Sequence, residues 1–317
     1  MEQPKIRIGI SRCLLGERVR YDGGHKRDTY LVSVLGKYFE WITVCPEVEI
    51  GLGIPRESIH LVETDDGIRL RSVRSGNDVT DKMRAYASIK VKELRRLNLR
   101  GFVLKKDSPS CGMERVNIHI RAGVLKKNGR GLFAETLLHS LPLIPVEEEG
   151  RLNDLKIREN FVERIFAYDR WTKFSRSRPA PQKLIEFHTR HKMTILSHTT
   201  VLYRELGQIV AQAAKTGWKD LLNRYGVCFM NALRQNATPR KHSNCLYHLM
   251  GHLKHQLSPG DKVELVECIE QYRQEKIPLI VPMTLLKHHF RRNPVPWVMQ
   301  QTYLDPYPAE LMLRNHV

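Results

Sequence analysis

Three cysteines in the first half of the chain have the surroundings that chemistry requires. Cys13 lies in SRCLLG, Cys45 in VCPEVEIGLGIPR and Cys111 in KKDSPSCG. Glycine or proline marks each segment, and a hydrophobic run precedes each: Ile8 to Ile10, Trp41 to Val44, and Phe102 to Leu104. Three sulfur ligands suit a cubane iron–sulfur cluster with one iron left open, because a fully ligated cluster normally takes four. An open metal position is what substrate chemistry needs. A structural zinc or a redox pair would use the same residue type. Any one of the three taken alone reads more readily as a small buried hydrophobe; it is the joint context that points to a cluster.

The elements that must bring these thiols together are strands. In an α/β domain such apolar runs read as buried parallel strands, and chemistry gathers in the turns at their carboxyl ends. A helix is predicted over Asp81 to Asn98, where Met83, Ala87, Val91 and Leu94 share one face; the strand-like FVLKK follows Gly101. The stretch LPLIPVEEEGRLND, with two prolines, an acidic run and a glycine, reads as a connection between domains. The expectation is an α/β, Rossmann-like parallel-sheet domain over residues 1–150 and an all-α domain over 151–317. In the latter, Asn153 to Phe174 and Gln182 to Leu206 read as helices. Another begins at Ser258-Pro259, with Val263, Val266, Ile269 and Tyr272 on one side. No internal repeat is present.

Charge supplies the second signal. The net charge is +18, with roughly two thirds of the excess after residue 150. A basic excess of this size favours a polyanionic partner, since Lys and Arg displace counterions from phosphates. A solvated surface that happens to be basic is the plainer account. Six cysteines in a chain of 317 residues do not resemble a disulfide framework and fit a reducing cytoplasm. The segment MEQPKIRIGIS lacks a secretion pattern, and no apolar stretch reaches membrane-spanning length. The expectation is a cytoplasmic protein with no membrane association and no obligate protein partner.

In order, SRCLLG, YDGGHKRD, CPEVEIGLGIPRE and SPSCG resemble the motifs of the thiouracil desulfidase family of small iron–sulfur proteins, over about the first 150 residues. The remainder resembles a helical domain often fused to it, through LIEFHTRHKMTILSHTTVLYRELG, TPRKHSNCLYHLMGHLKHQL and QTYLDPYPAELMLRN. The fused arrangement is similar to bacterial desulfidases that remove sulfur from 4-thiouridine in tRNA. The resemblance implies a [4Fe–4S] cluster on Cys13, Cys45 and Cys111, with Glu47 and Ser108 as the acid–base and positioning pair. The chain departs from the family pattern in two places. It has Glu49-Ile50-Gly51 where relatives often carry paired glycines, and Lys105, Lys106 and Asp107 before SPSCG.

The chemistry can be argued from the residues as well. A soft thiocarbonyl sulfur matches a thiolate-bound iron, and exchange of C=S for C=O by water needs a base but no net redox. Glu47, two residues after Cys45, shares its pocket if the turn is extended; its alternative is to cap a helix near Gly51. Ser108 could donate to substrate or water, or serve only the turn. Asp22 and Gly23 either line the pocket or form a tight turn with Gly24. Arg12 and Arg56 either meet a phosphate or brace the loops through salt bridges. Lys105 and Lys106 would favour a phosphate-bearing substrate.

In the second half, Cys245, His248, His252 and His255 fall at i, i+3, i+7 and i+10, a row along one side of a helix. Leucines interleave with them, so helix histidines facing a polar or RNA surface are the better reading, and no metal is expected there. For tRNA the candidate contacts are Trp171 as a stacking plane beside Arg170 and Lys173, then Arg190 and Lys192, Arg240 and Lys241, and Arg291 and Arg292. Two other functions use the same features. Action on free thiouracil would survive loss of the second domain. A nucleic-acid-binding regulator with a redox-sensing cluster would bind duplex sequence-specifically and would not need the Glu47 carboxylate.

Overall fold

A computed structural model describes residues 5–120, 124–177, 179–212 and 217–317. The chain divides between Asn153 and Asp154 into two compact units.

In the N-terminal unit the three apolar runs are strands: β1 (Ile6–Ser11), β2 (Phe39–Val44) and β5 (Gly101–Leu104). Between β2 and β5 the chain forms β3 (Ile59–Thr64) and β4 (Gly67–Ser72); after β5 come β6 (Val116–His119), β7 (Leu125–Gly129) and β8 (Val146–Glu148). The helices are α1 (Thr29–Ser33), α2 (Pro46–Glu49), α3 (Thr80–Arg96) and α4 (Leu132–Ser140).

One sheet has the order β2-β1-β5-β8 and is parallel throughout. Its central strand pairs Ile8 with Trp41 on one side and with Gly101 on the other, so the carboxyl ends of β1, β2 and β5 stand side by side. Ile8, Ile10, Phe102, Val103 and Leu104 are fully buried, as continuous apolar runs covered on both faces should be. Gly9 is dictated by packing: a Cβ there would sit 2.1 Å from the Phe102 ring. The predicted face of α3 holds, with Met83, Ala87, Val91 and Leu94 buried.

A second sheet, of order β4-β3-β6-β7, was not legible. It mixes antiparallel pairs β3/β4 and β6/β7 with a parallel β3/β6 pair. Its strands are short and polar on their open side, as in HLVET or LKKNG, and so resemble surface loops by composition.

The C-terminal unit is helical: α5 (Leu155–Arg176), α6 (Pro181–His198), α7 (Thr200–Ala211), α8 (Trp218–Arg234), α9 (Pro239–Gly251), α10 (Pro259–Arg273), α11 (Ile280–Arg292) and the short α12 (Pro296–Met299). α10 opens as expected with a reciprocal capping box between Ser258 and Asp261. Its buried face is corrected to Leu265, Ile269 and Tyr272; Val263 and Val266 are exposed. The single helix expected over 182–206 is two. Thr199 is extended and its hydroxyl accepts the Leu202 N–H, so the second helix starts afresh at its cap.

Two features fill the interior of this unit. An aromatic cluster packs Trp171 against Phe187, Tyr225 and Phe229, with ring centroids 5.3–6.3 Å apart. Beside the apolar core, the buried Glu159, Glu163, His198 and Arg314 form a charged network, in which His198 Nε2 meets Glu163 Oε2 at 2.9 Å. Among the described residues no helix is long and apolar enough to cross a membrane.

Candidate active site

The parallel sheet sets where the three thiols meet. Cys13 follows β1 in a single 3₁₀ turn, Cys45 follows β2 directly, and Cys111 follows β5 in the SPSCG loop. With the order β2-β1-β5-β8, the first strand stands between its successor and the later strands. Connections there diverge to opposite faces and open a crevice at the carboxyl edge. A cavity of about 440 Å³ occupies that edge, and all three cysteines line it.

The thiols are buried and unpaired as disulfides. Their hydrogen bonds are weak: Cys45 Sγ lies 3.8 Å from the Val19 carbonyl, and Ser110 Oγ lies 3.8 Å from Cys111 Sγ. Burial, and then the neighbouring Cys45, pushes the Cys13 thiol up to about 11. Burial likewise raises Cys45 and Cys111. Three adjacent thiolates would repel one another in so dry a place unless a cationic centre joined them. Among the described residues no three His, Cys, Asp or Glu side chains are disposed to hold one metal ion between them. Sulfurs on different irons of a cubane stand farther apart than ligands of a single ion, so the donor set fits a cluster better than a lone zinc.

Glu47 does not sit in an extended turn. It lies in the first turn of α2, whose N-cap residue is Cys45, and its carboxylate is held at both oxygens. Arg56 donates to Oε2 from Nε at 3.0 Å and from Nη2 at 2.5 Å, and Ser110 Oγ donates to Oε1 at 2.8 Å. Arg56 also donates to the Val19 and Gly53 carbonyls at 2.9 and 3.1 Å, so it braces the loops and aims the carboxylate. These bonds engage Nε, Nη1 and Nη2, so the guanidinium serves the loops and the carboxylate rather than a phosphate.

Ser108 serves its turn and faces the cavity at once. Its Oγ accepts the Cys111 N–H at 3.1 Å and lies 3.0 Å from Ser110 Oγ. Glu47, Ser110 and Ser108 therefore form one hydrogen-bonded chain along the cavity wall. Ser110 was missed in the sequence; the two serines flanking Pro109 were the available signal. Ser11 was missed too: its Oγ accepts the Lys105 N–H at 3.0 Å and ties β1 to the loop after β5.

The remaining sequence candidates separate. Arg12 lines the cavity but pairs with Glu17 and Glu49, each at 3.6 Å. The unusual Glu49 accepts the Cys45 N–H at 2.9 Å and pairs with Lys90 at 2.9 Å, which explains a carboxylate where small residues were expected. Asp22 and Gly23 do not line the cavity. They make a tight turn, with φ +73° at Gly23 and the Gly24 N–H donated to Asp22 Oδ1 at 2.9 Å. Lys105 is mostly buried and paired with Glu149, whereas the Lys106 side chain is half exposed at the mouth. Arg20 and Lys26 also line the cavity and add cations that spacing alone did not suggest.

In the C-terminal unit several expected RNA contacts are interior. Trp171 is 5% exposed and belongs to the aromatic core, so it offers no stacking plane. Arg170 donates to the Pro306 carbonyl at 2.7 Å and to His191 at 3.2 Å; burial lowers its pKa to about 10. Lys241 donates to the carbonyls of His198 and Asn236 at 2.6 and 3.0 Å. Lys173 is exposed but pairs with Asp169 at 2.7 Å. Arg190, Arg240, Arg291 and Arg292 are exposed and make no ion pair among the described residues; Lys192 is half-buried and likewise unpaired. The supposed row of four splits: Cys245 is buried in the core, α9 ends at Gly251, and His248, His252 and His255 are exposed. Cys268, on α10, is only partly buried.

Comparison with known proteins gives the same division. Residues 8–149 match the family described as 2-thiouracil desulfurase, and residues 192–308 match DUF1722, a family of unknown function. The uncharacterized protein YbgA of Escherichia coli K12 is 28% identical over 167 residues, covering 52% of this chain and 98% of its own. The uncharacterized protein YbbK of Bacillus subtilis 168 is 28% identical over 110 residues, 33% of this chain and 72% of its own. Among solved structures, the [4Fe-4S]-dependent thiouracil desulfidase TudS is 30% identical, covers 49% of this chain and 97% of its own, and superposes with a TM-score of 0.40. The chain is thus built from a thiouracil desulfidase-like domain, which carries the three-cysteine cavity, and a DUF1722 part after it.

Proposed function

We propose that this protein removes sulfur from 4-thiouridine in tRNA, leaving uridine. The coarser activity, iron–sulfur-dependent desulfuration of a thiouracil ring, rests on the family match together with one observation. Three free thiols from the ends of three neighbouring parallel strands line a single cavity, beside a carboxylate held ready by Arg56. Cys13, Cys45 and Cys111 are the ligands of a [4Fe–4S] cluster, which when bound supplies a soft, Lewis-acidic iron for the thiocarbonyl sulfur.

The protein's own groups handle the water and protons. The reaction exchanges C=S for C=O: one water enters, hydrogen sulfide leaves, and no electron is gained or lost. Glu47 Oε1 accepts a proton from the attacking water, and Arg56 holds the other oxygen so that the basic one faces the cavity. Ser108 and Ser110 link that carboxylate to the wall around Cys111 and can return the proton toward the departing sulfur. Burial of the thiols keeps bulk water away from the ligand sulfurs.

The tRNA substrate is supported by charge. The chain carries +18, and Arg190, Arg240, Arg291 and Arg292 are exposed and make no ion pair among the described residues. Lys106, Lys26 and Arg20 at the cavity suit a phosphate-bearing nucleotide rather than a bare base. A thiouridine inside folded tRNA must be swung outward, and a basic domain would provide the grip for that. The test is anaerobic reconstitution with iron and sulfide, incubation with thiolated tRNA, and nucleoside analysis. Uridine should replace 4-thiouridine, with a rate that falls steeply as salt rises. Turnover of free 2-thiouracil with no reaction on tRNA would reduce the function to the coarser one.

A further inference from the structure

The C-terminal unit contains an open groove of about 480 Å³ between α6 and α7, a size within the ~300–1,000 Å³ of small-ligand sites. Its floor is apolar, with Ile185 half exposed and Val210 at its edge. Among the described residues no carboxylate lines it. Two cations do, Lys192 from α6 and Arg204 from α7, and neither has an ion-pair or hydrogen-bond partner among the described residues. His188 also lines the groove, and its Nδ1 is held by the Tyr225 hydroxyl at 3.1 Å. Burial, and then the Lys192 charge, lowers the His188 pKa to about 4, so near neutrality the ring adds no charge to the groove.

Gly207 gives an independent indication. It lies inside α7, where glycine is the poorest helix former after proline. Among the described residues nothing requires it there: a Cβ at Gly207 would meet no atom within 4 Å. The missing side chain instead keeps the groove open, since Gly207 is part of its lining.

We propose that this groove seats an unpaired RNA nucleotide, its base on the apolar floor beside Gly207 and its phosphates on Lys192 and Arg204. The helices on both sides satisfy their own backbone groups, so the groove offers no edge for an extended peptide; a flat base flanked by two negative charges matches it better. This deepens the tRNA reading and rests on it.

The test measures binding of unthiolated tRNA and of a short oligouridylate by fluorescence anisotropy, over a range of salt. Gly207→Met fills the groove with a good helix former. It should leave thermal stability undiminished and weaken both RNAs roughly tenfold or more. The double variant Lys192→Ala/Arg204→Ala should weaken both and reduce the slope of log affinity against log salt by about 1.5. Turnover of free 4-thiouridine by the reconstituted protein should be unchanged in all variants. Wild-type affinity and salt slope in both variants would overturn the groove while leaving the tRNA reading intact. Absence of RNA binding by the unaltered protein would overturn both. Binding of a polyglutamate peptide that is lost in Gly207→Met, with RNA unaffected, would assign the groove to an acidic peptide and end the proposal.

Discussion

Replacement of Glu47 by Gln separates catalysis from bracing, because the carboxylate has two partners with different purposes. The Arg56 side chain is 5% exposed and that of Glu47 14%, so the pair is largely removed from water. Breaking a buried pair by removing one partner costs about 3–5 kcal/mol. Arg56 keeps two carbonyl acceptors, which places the loss near the lower end, about 3 kcal/mol. For a unit of this size that corresponds to a melting temperature lower by about 6–12 °C. Arg56→Met should cost a similar amount, and the double variant should lose less than the sum by about 2 kcal/mol, since the charges go together.

Turnover should show a different pattern. Glu47→Gln should lower single-turnover desulfuration by about 10²–10⁴, and the double variant should stay as low, because neither contains a base. Arg56→Met keeps the carboxylate and should retain turnover within about tenfold of the unaltered protein. The assay pairs chemical denaturation with anaerobic loss of the thiouridine absorbance, at equal iron content. Recovery of turnover in the double variant would refute the reasoning, as would an Arg56→Met protein that is folded, iron-loaded and as inactive as Glu47→Gln.

The same geometry sets further outcomes. Ser110→Ala cuts the hydroxyl contact between Glu47 and Ser108 and should lower turnover at unchanged iron content, whereas Ser110→Thr should restore much of it. Trp171→Ala should destabilise the C-terminal unit by about 3–5 kcal/mol, seen in denaturant melts, with no change in the salt slope of RNA binding, because the ring is core. Burial depresses His188, His191 and His242, to about 4, 3 and 3. In unfolded chain these rings protonate near pH 6.5, so the unit should weaken as pH falls from there toward 4, by up to about 1.4 kcal/mol per pH unit for each ring. Glu159, raised by burial and then by the neighbouring Glu163, holds its proton to higher pH in the folded unit than in the unfolded chain and offsets part of that loss. His198 is raised by Glu163 against the opposing effect of burial, and its contribution is lost as pH climbs above the usual imidazole value. Urea melts between pH 4 and 8.5 should therefore show greatest stability near neutrality; a flat profile would contradict these burial assignments.

The local pattern of the chain already determined the strands before Cys13, Cys45 and Cys111 and the buried face of α3. A continuous apolar run or a 3.6-residue period is decided by neighbours in sequence. The glycine- and proline-marked turns told where the thiols would sit, because neighbouring parallel strands deliver the turns after them to one edge of the sheet. Tertiary structure alone decided what each polar group does there. Ser110, Arg56 and Ser11 have partners 9 to 94 residues away, distances that no spacing rule covers. The same holds in the helical unit. Trp171 and Arg170 read as surface because charges flank them, yet they face inward on a helix whose buried side takes in Glu159, Glu163 and Arg164 as well. Hydrophobic periodicity fails on such a face, since burial of its charges is made tolerable by Arg314 and His198, far away along the chain.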